Sequence, residues 1–267
     1  IGIGDIAVDW KNNTIWIGTG EVNSSRSSYA GIGVYKSKDN GKTWEYMGLP
    51  ESHHIGKILL NPNNPDEAWV AVLGHLYSPN KDRGVYKTSD GGKSWKHTLF
   101  IDDNTGAVEM EINPANPKEI YAAAWHRIRK AWDFVEGGKT SGIYKSEDAG
   151  TTWTKINANS GFPSNIGIGR IGLTSFDENI TYAIVDNQNL RPNASNEKPK
   201  DANAALFEVE VIGAEIYKTN DSGKTWTKHY AKNAPRDFVL GTGHMVFFYN
   251  RIGFLLKRHQ LIVDECI

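Results

Sequence analysis

Cysteine is almost missing from this chain of 267 residues: there is one, Cys266, beside the C-terminus. A single thiol excludes an intrachain disulfide and a thiolate-built metal cluster. Long apolar runs are missing too. None approaches the ~18 residues of a membrane-spanning helix, so no membrane span is expected. Charge of one sign is not in excess, because 30 Lys and Arg stand against 31 Asp and Glu, for a formal net charge of −1. No global field therefore points to nucleic acid or to an anionic membrane. Helical periodicity is lacking as well, which argues against a helical solenoid. The opening "IGIGDIAVDW" has no initiator Met, basic region or apolar leader segment. It reads as a strand already under way, as in a processed chain or a piece of a longer one.

What is present is a phrase that returns four times: "SKDNGKTW" (37–44), "TSDGGKSW" (88–95), "SEDAGTTW" (146–153) and "TNDSGKTW" (219–226). The pattern is [ST]-x-D-x-G-x-[ST]-W. It carries Asp39, Asp90, Asp148 and Asp221, and it ends on Trp44, Trp95, Trp153 and Trp226. An internal repeat decides the fold before anything else does. Each copy follows a short β-like run ("GVYKS", "GVYKT", "GIYKS", "EIYKT") and precedes alternating residues, which is a hairpin signal. The Asp carboxylate accepts backbone N–H bonds and holds the turn. The Gly tolerates positive φ. The Trp begins the outgoing strand and packs its ring on a neighbouring hairpin or sheet. These residues are expected to staple hairpins rather than to bind a ligand.

A second motif lies upstream of each hairpin: "IAVDWKNNTIWIGTG" (6–20), "ILLNPNNPDEAWVAVLG" (58–74), "MEINPANPKEIYAAAW" (110–125) and "IGLTSFDENITYAIVD" (171–186). Each reads as strand, polar turn, strand. The two motifs together make four short strands. Four-stranded units in tandem predict an all-β fold, a β-propeller of four-stranded antiparallel blades with four such blades over residues 1–232. Residues 233–267 read as an atypical C-terminal tail without a fifth turn phrase. The Gly-Ile runs "GIGIGD" and "NIGIGRIG" read as inner strands crowded near the propeller axis.

The eight-residue phrase resembles the Asp-box, or BNR repeat. The blade pattern resembles sortilin/Vps10-like and xyloglucanase-like bacterial secreted proteins. The resemblance implies an incomplete or fragmentary propeller, since family propellers have six or more blades. It also implies an extracellular or periplasmic location, with the remainder of a larger propeller chain as one partner. A sialidase is disfavoured, because "GRIG" (169–172) is late and lacks the proline of that family's Arg-Ile-Pro motif.

In an up-and-down blade, the first-to-second and third-to-fourth turns share one face. The second-to-third loops and the blade links share the other. The loops on that other face are the long ones: 18–33, 74–84, 125–142 and 186–215, with links at 48–57, 100–109 and 159–170. The 186–215 stretch reads as a mobile insertion. Loops on a rigid scaffold carry function. The ligand-binding candidates there are His53, His54, His75, Arg83, Trp125, His126, Arg127, Arg129 and Trp132. Trp125 and Trp132 offer stacking, and Arg127 and Arg129 offer a carboxylate grip. Adjacent His53 and His54 in a strand point to opposite sides. In a loop they could share a metal with His75 or His126 as a third ligand, but no metal or cofactor is expected. Glycoside hydrolysis needs two carboxyl groups, and the weak catalytic candidates are Glu21, Asp102, Asp103 and Asp133. The reading is a non-catalytic propeller that recognises a glycan, peptide or protein. The alternative is a xyloglucanase-like glycoside hydrolase.

Overall fold

The computed structural model describes residues 2–24, 28–164, 167–190 and 211–229. The C-terminal tail 233–267, Cys266 and Arg26 lie outside them. Four antiparallel sheets of four strands follow one another along the chain. The first blade is β1 (Ile3–Asp9), β2 (Thr14–Thr19), β3 (Val34–Ser37) and β4 (Glu45–Tyr46), and the second is β5 (Ile55–Asn61), β6 (Asn64–Val72), β7 (Gly84–Thr88) and β8 (Lys96–Leu99). The third is β9 (Thr105–Ile112), β10 (Ile120–His126), β13 (Gly142–Ser146) and β14 (Thr154–Lys155), with a small hairpin, β11 (Ile128–Arg129) and β12 (Phe134–Val135), between its second and third strands. The fourth is β15 (Ile168–Ser175), β16 (Thr181–Leu190), β17 (Val211–Thr219) and β18 (Thr227–Lys228). These are the expected blades of an Asp-box β-propeller.

The hairpin β11–β12 is not evident from the sequence pattern. The inner strands also begin earlier than the sequence suggested. β9 takes in Thr105–Glu109 of the expected 100–109 link, and β16 and β17 take in 186–190 and 211–215 of the expected insertion, whose residues 191–210 lie outside the described residues. Strand pairing continues as long as backbone partners are in register, and polar side chains do not stop it.

The core lies between blades. Along β6, Ala68, Val70 and Val72 pack with Trp16, Val34, Ile55 and Ile58, on the side of the first blade. The alternate residues Trp69 and Ala71 pack with Met110, Ile120, Ala122 and Tyr144 of the third. A strand buried on both faces reads as a continuous apolar run, as "AWVAV" does. Inner strands come close: a Cβ on Gly4 would sit 1.9 Å from the Ile55 carbonyl oxygen, and one on Gly56 would sit 2.2 Å from that of Val108. The Gly-Ile pattern is what lets β1, β5 and β9 approach.

The four Asp-boxes are built alike. In the first, Ser37 Oγ donates to Asp39 Oδ1 at 2.8 Å, while the Gly41 N–H donates to Ser37 Oγ at 2.8 Å. The Thr43 N–H and hydroxyl donate to the two Asp39 oxygens at 2.9 and 2.6 Å. The same bonds recur around Asp90, Asp148 and Asp221. The hydroxyl of Thr43, then its N–H, hold the exposed Asp39 carboxyl down at about 2. The x-G pair has positive φ at both residues, as in Ala149 (59°) and Gly150 (72°), which is the type I′ signature. Each Trp also has a partner. Trp95 meets Trp16 edge-on at 6.3 Å and donates to the Met47 carbonyl at 2.7 Å, both in the first blade. Trp153 donates to Thr98 of the second blade at 3.3 Å. Trp226 lies 5.3 Å from Phe162 in the link that precedes its blade. Trp44 bonds only its own turn, at the Gly41 carbonyl, and is 39% exposed. The box therefore docks on the preceding blade rather than in its own hairpin.

Candidate functional site on the long-loop face

Backbone bonds confirm which loops share a face. Box turns meet first-to-second turns: the Gly91 N–H donates to Asp66, that of Ala149 to Lys118 and that of Ser222 to Asn179. On the opposite side, the long loops meet the links. The Asn80 N–H donates to the Asp103 carbonyl at 3.0 Å, and the Gly31 N–H donates to His53 at 2.6 Å.

Beneath these loops lie three buried guanidinium groups, Arg83, Arg127 and Arg170. Arg83 donates to the carbonyls of His75 (2.7 Å), Ser78 (3.2 Å) and Asn104 (3.2 Å). Arg127 donates to Ser24 Oγ and to the carbonyls of Leu73 (3.4 Å) and Gly74 (3.3 Å). Burial, then the nearby Arg83 and Arg170, push the pKa of Arg127 well down. Trp125 is also buried. Its Nε1 donates to the Glu136 carbonyl at 2.7 Å, and its ring packs on Phe134. These residues bind loops together. Trp125, Arg83 and Arg127, expected to touch ligand, are buried and present no free surface. His54 is likewise internal, and burial followed by the Arg127 charge lowers its pKa to about 4. His126 bonds Thr105 and Thr140 through Nδ1 at 3.3 Å. Arg129 lies over Phe134 at 4.6 Å.

Exposed instead are the rings of Tyr29 (69%), Tyr77 (56%) and Trp132 (83%). Each stands in the second-to-third loop of a different blade. Only Trp132 is a sequence candidate. Tyr29 and Tyr77 lie in quoted loops but carry no distinguishing motif. His53 is half-buried and His54 is buried, at the end of the 3-10 turn rather than in a strand. His53 stacks on His75 at 3.8 Å, and Glu51 reaches His75 at 3.2 Å.

The four candidate acids have different situations. Asp102 caps its own turn, accepting from the Asn104 N–H at 2.8 Å and the Thr105 hydroxyl at 3.0 Å. Burial opposes its ionisation, but these bonds outweigh it and lower its pKa. Asp133 closes the β11–β12 turn through backbone bonds with Lys130. Asp103 gives its carbonyl to Asn80, and the Glu21 N–H donates to Tyr29 at 3.0 Å. The acids poised nearest neutrality were not singled out from sequence. Glu136 is pushed up to about 7, first by burial and then by the charge of Asp186. Asp186 is raised to about 6 by burial, despite two 2.7 Å bonds from Gln188. Only the fold brings β16 beside the β12 segment, so no spacing could have paired them. A cleft of about 570 Å³ opens on the other, box-bearing face, between the third and fourth blades, beside Asp148, Lys155 and Lys224.

The family model described as sortilin, neurotensin receptor 3 (Sortilin-Vps10) matches residues 33–162, just under half of the chain. Vacuolar protein sorting/targeting protein 10 of Kluyveromyces lactis is 34% identical over 85 residues, covering 30% of this chain and 5% of that one. A xyloglucanase of Hypocrea jecorina is 26% identical over 161 residues, covering 60% and 16%. Among solved structures, the GH74 xyloglucanase from Xanthomonas campestris aligns with TM-score 0.54 at 14% identity, over 85% of this chain and 29% of that one. The chain thus spans less than a third of each of these proteins. In its repeats, its blades and its matched segment, the chain resembles the Asp-box β-propellers of the sortilin/Vps10 and xyloglucanase kind.

Proposed function

We propose that this protein is an extracellular or periplasmic recognition propeller that captures an extended glycan or polypeptide on its long-loop face without cleaving it. The observation that carries this reading is the set of exposed rings, Tyr29, Tyr77 and Trp132, on three successive blades of one face. Rings at intervals along a face suit a chain ligand. Two of the candidate acids, Asp102 and Asp133, belong to turns. The likeness to a protein named for sorting and targeting, together with the location its family suggests, supports recognition of a passing ligand.

A second reading rests on Glu136 and Asp186, whose raised pKa values suit a proton donor. The relatives named xyloglucanase support it. Titration with xyloglucan oligosaccharides and with unstructured peptides separates the two. Recognition predicts saturable binding, lost in Trp132→Ala and Tyr77→Ala, with the ligand recovered intact. Hydrolysis predicts new reducing ends, abolished by Glu136→Gln. Trp125→Ala does not serve as a test, because that ring is core.

A further inference from the structure

We propose that Glu51, His53 and His75 form a binding site for a divalent transition-metal ion of the zinc class, with one coordination position left open. The three residues come from two separate places in the chain. Glu51 lies in the 3-10 turn Pro50–Ser52, His53 follows that turn, and His75 stands at the start of the loop after β6. Their donor atoms lie within 4.8 Å of one another. Glu51 Oε2 is 3.2 Å from His75 Nε2 and 3.9 Å from His53 Nε2. Donors ~2.1 Å from a tetrahedral ion sit ~3.4 Å apart, so Glu51 and His53 would close by about half an ångström, and the two imidazoles would turn out of their stack to bring the ion into both ring planes.

The geometry is hard to satisfy with protons alone. The imidazoles stack at 3.8 Å with 19° between planes and aim two nitrogens at one carboxylate oxygen. At 3.9 Å, His53 makes no hydrogen bond with it. A metal ion placed among the three donor atoms would bind both nitrogens and the carboxylate together.

The surroundings are those of a held ligand. His75 Nδ1 lies 3.2 Å from Ser78 Oγ, a contact that orients the ring with Nε2 toward Glu51. The His75 N–H donates to Asn80 Oδ1 at 3.2 Å, and its carbonyl accepts from Arg83 at 2.7 Å. The His53 carbonyl accepts from the Gly31 N–H at 2.6 Å. Two imidazoles and one carboxylate select zinc, copper, nickel or cobalt over magnesium or calcium. Three protein donors leave a position for water or for a group on a bound chain.

Calorimetric titration with zinc chloride at slightly alkaline pH tests this, with magnesium chloride as control. The expected result is one high-affinity zinc per chain and no magnesium uptake. Glu51→Gln and His53→Ala should each weaken zinc binding by about tenfold or more. Glu51 is exposed on its turn, so Glu51→Gln should melt as the wild type does. Cobalt(II) gives a second readout, a visible band of four-coordinate character that His53→Ala removes. Absence of zinc uptake, or undiminished affinity in either variant, overturns the site. Neither outcome depends on whether the face recognises a glycan or a peptide.

Discussion

Trp69 in β6 donates from Nε1 to the carbonyl of Ala149, 2.9 Å away and 80 residues further on. Lys87 Nζ donates to the same carbonyl at 2.8 Å, pairs with Glu67 at 2.8 Å and lies over the Trp69 ring at 5.6 Å. An Asp-box turn is therefore gripped by an aromatic and a lysine of the blade before it. The pattern repeats one blade earlier, where Lys36 lies 4.2 Å over Trp16 and donates to the Gly91 carbonyl at 3.2 Å. The lysines of the first two phrases, Lys36 and Lys87, are thus part of the joints between blades.

The grip makes one glycine substitution much worse than another. A Cβ on Gly150 would lie 2.5 Å from Trp69 Nε1, whereas one on Gly41 meets nothing closer than 3.7 Å. Both have positive φ, so both substitutions carry a backbone cost of about 1–2 kcal/mol. Gly150→Ala adds overpacking of ~1–3 kcal/mol. Urea melts of the two variants should show Gly150→Ala clearly less stable. Equal midpoints would mean that the joint yields freely.

The tryptophans should divide in the same way. Trp95→Ala removes a ring held between two blades, together with its bond to Met47, and should cost ~3–5 kcal/mol. Trp44→Ala removes a ring that bonds only its own turn and is partly in water, and about 1 kcal/mol is expected. A thermal melt of each variant checks the difference.

Stability should fall at both ends of the pH range, for separate reasons. The Asp-box carboxyls have folded pKa values below their unfolded ones, with Asp39 at about 2 and Asp90, Asp148 and Asp221 also lowered. Their stabilisation is present above the unfolded value of about 4 and is lost as pH falls through the folded one. Asp148→Asn should flatten this acid limb in denaturant titrations.

Glu136 and Asp186 act in the opposite sense. Their folded pKa values are raised to about 7 and about 6, so the fold favours the protonated forms. That contribution is whole below about pH 4 and is lost as pH rises toward 7. Glu136→Gln should make the protein more stable than wild type above neutrality, by on the order of 1–3 kcal/mol. An unchanged alkaline midpoint would show that its carboxyl is solvated.

The sequence by itself determined the blade. Local chemistry fixes the Asp-box, since every bond of the turn joins residues within four positions of one another. Alternation then sets which strand residues face the neighbouring sheets, as along β6. The split of His53 from His54 follows from the positive-φ backbone of His53 (φ 48°) at the end of the 3-10 turn. What only the tertiary structure decided is which long-loop residues remain at the surface. Trp125, Arg83 and Arg127 looked like a binding set, and packing buries all three under loops whose carbonyls accept from the indole N–H and from the terminal guanidinium nitrogens. Trp132 stays out because it stands at the tip of the β11–β12 hairpin. The meeting of Glu51 with His75 depends on how the segments beyond the paired ends of β5 and β6 fold back, and that of Glu136 with Asp186 on loops brought together by the stacking of separate sheets. No period or spacing in one chain records a distance set by the angle between blades.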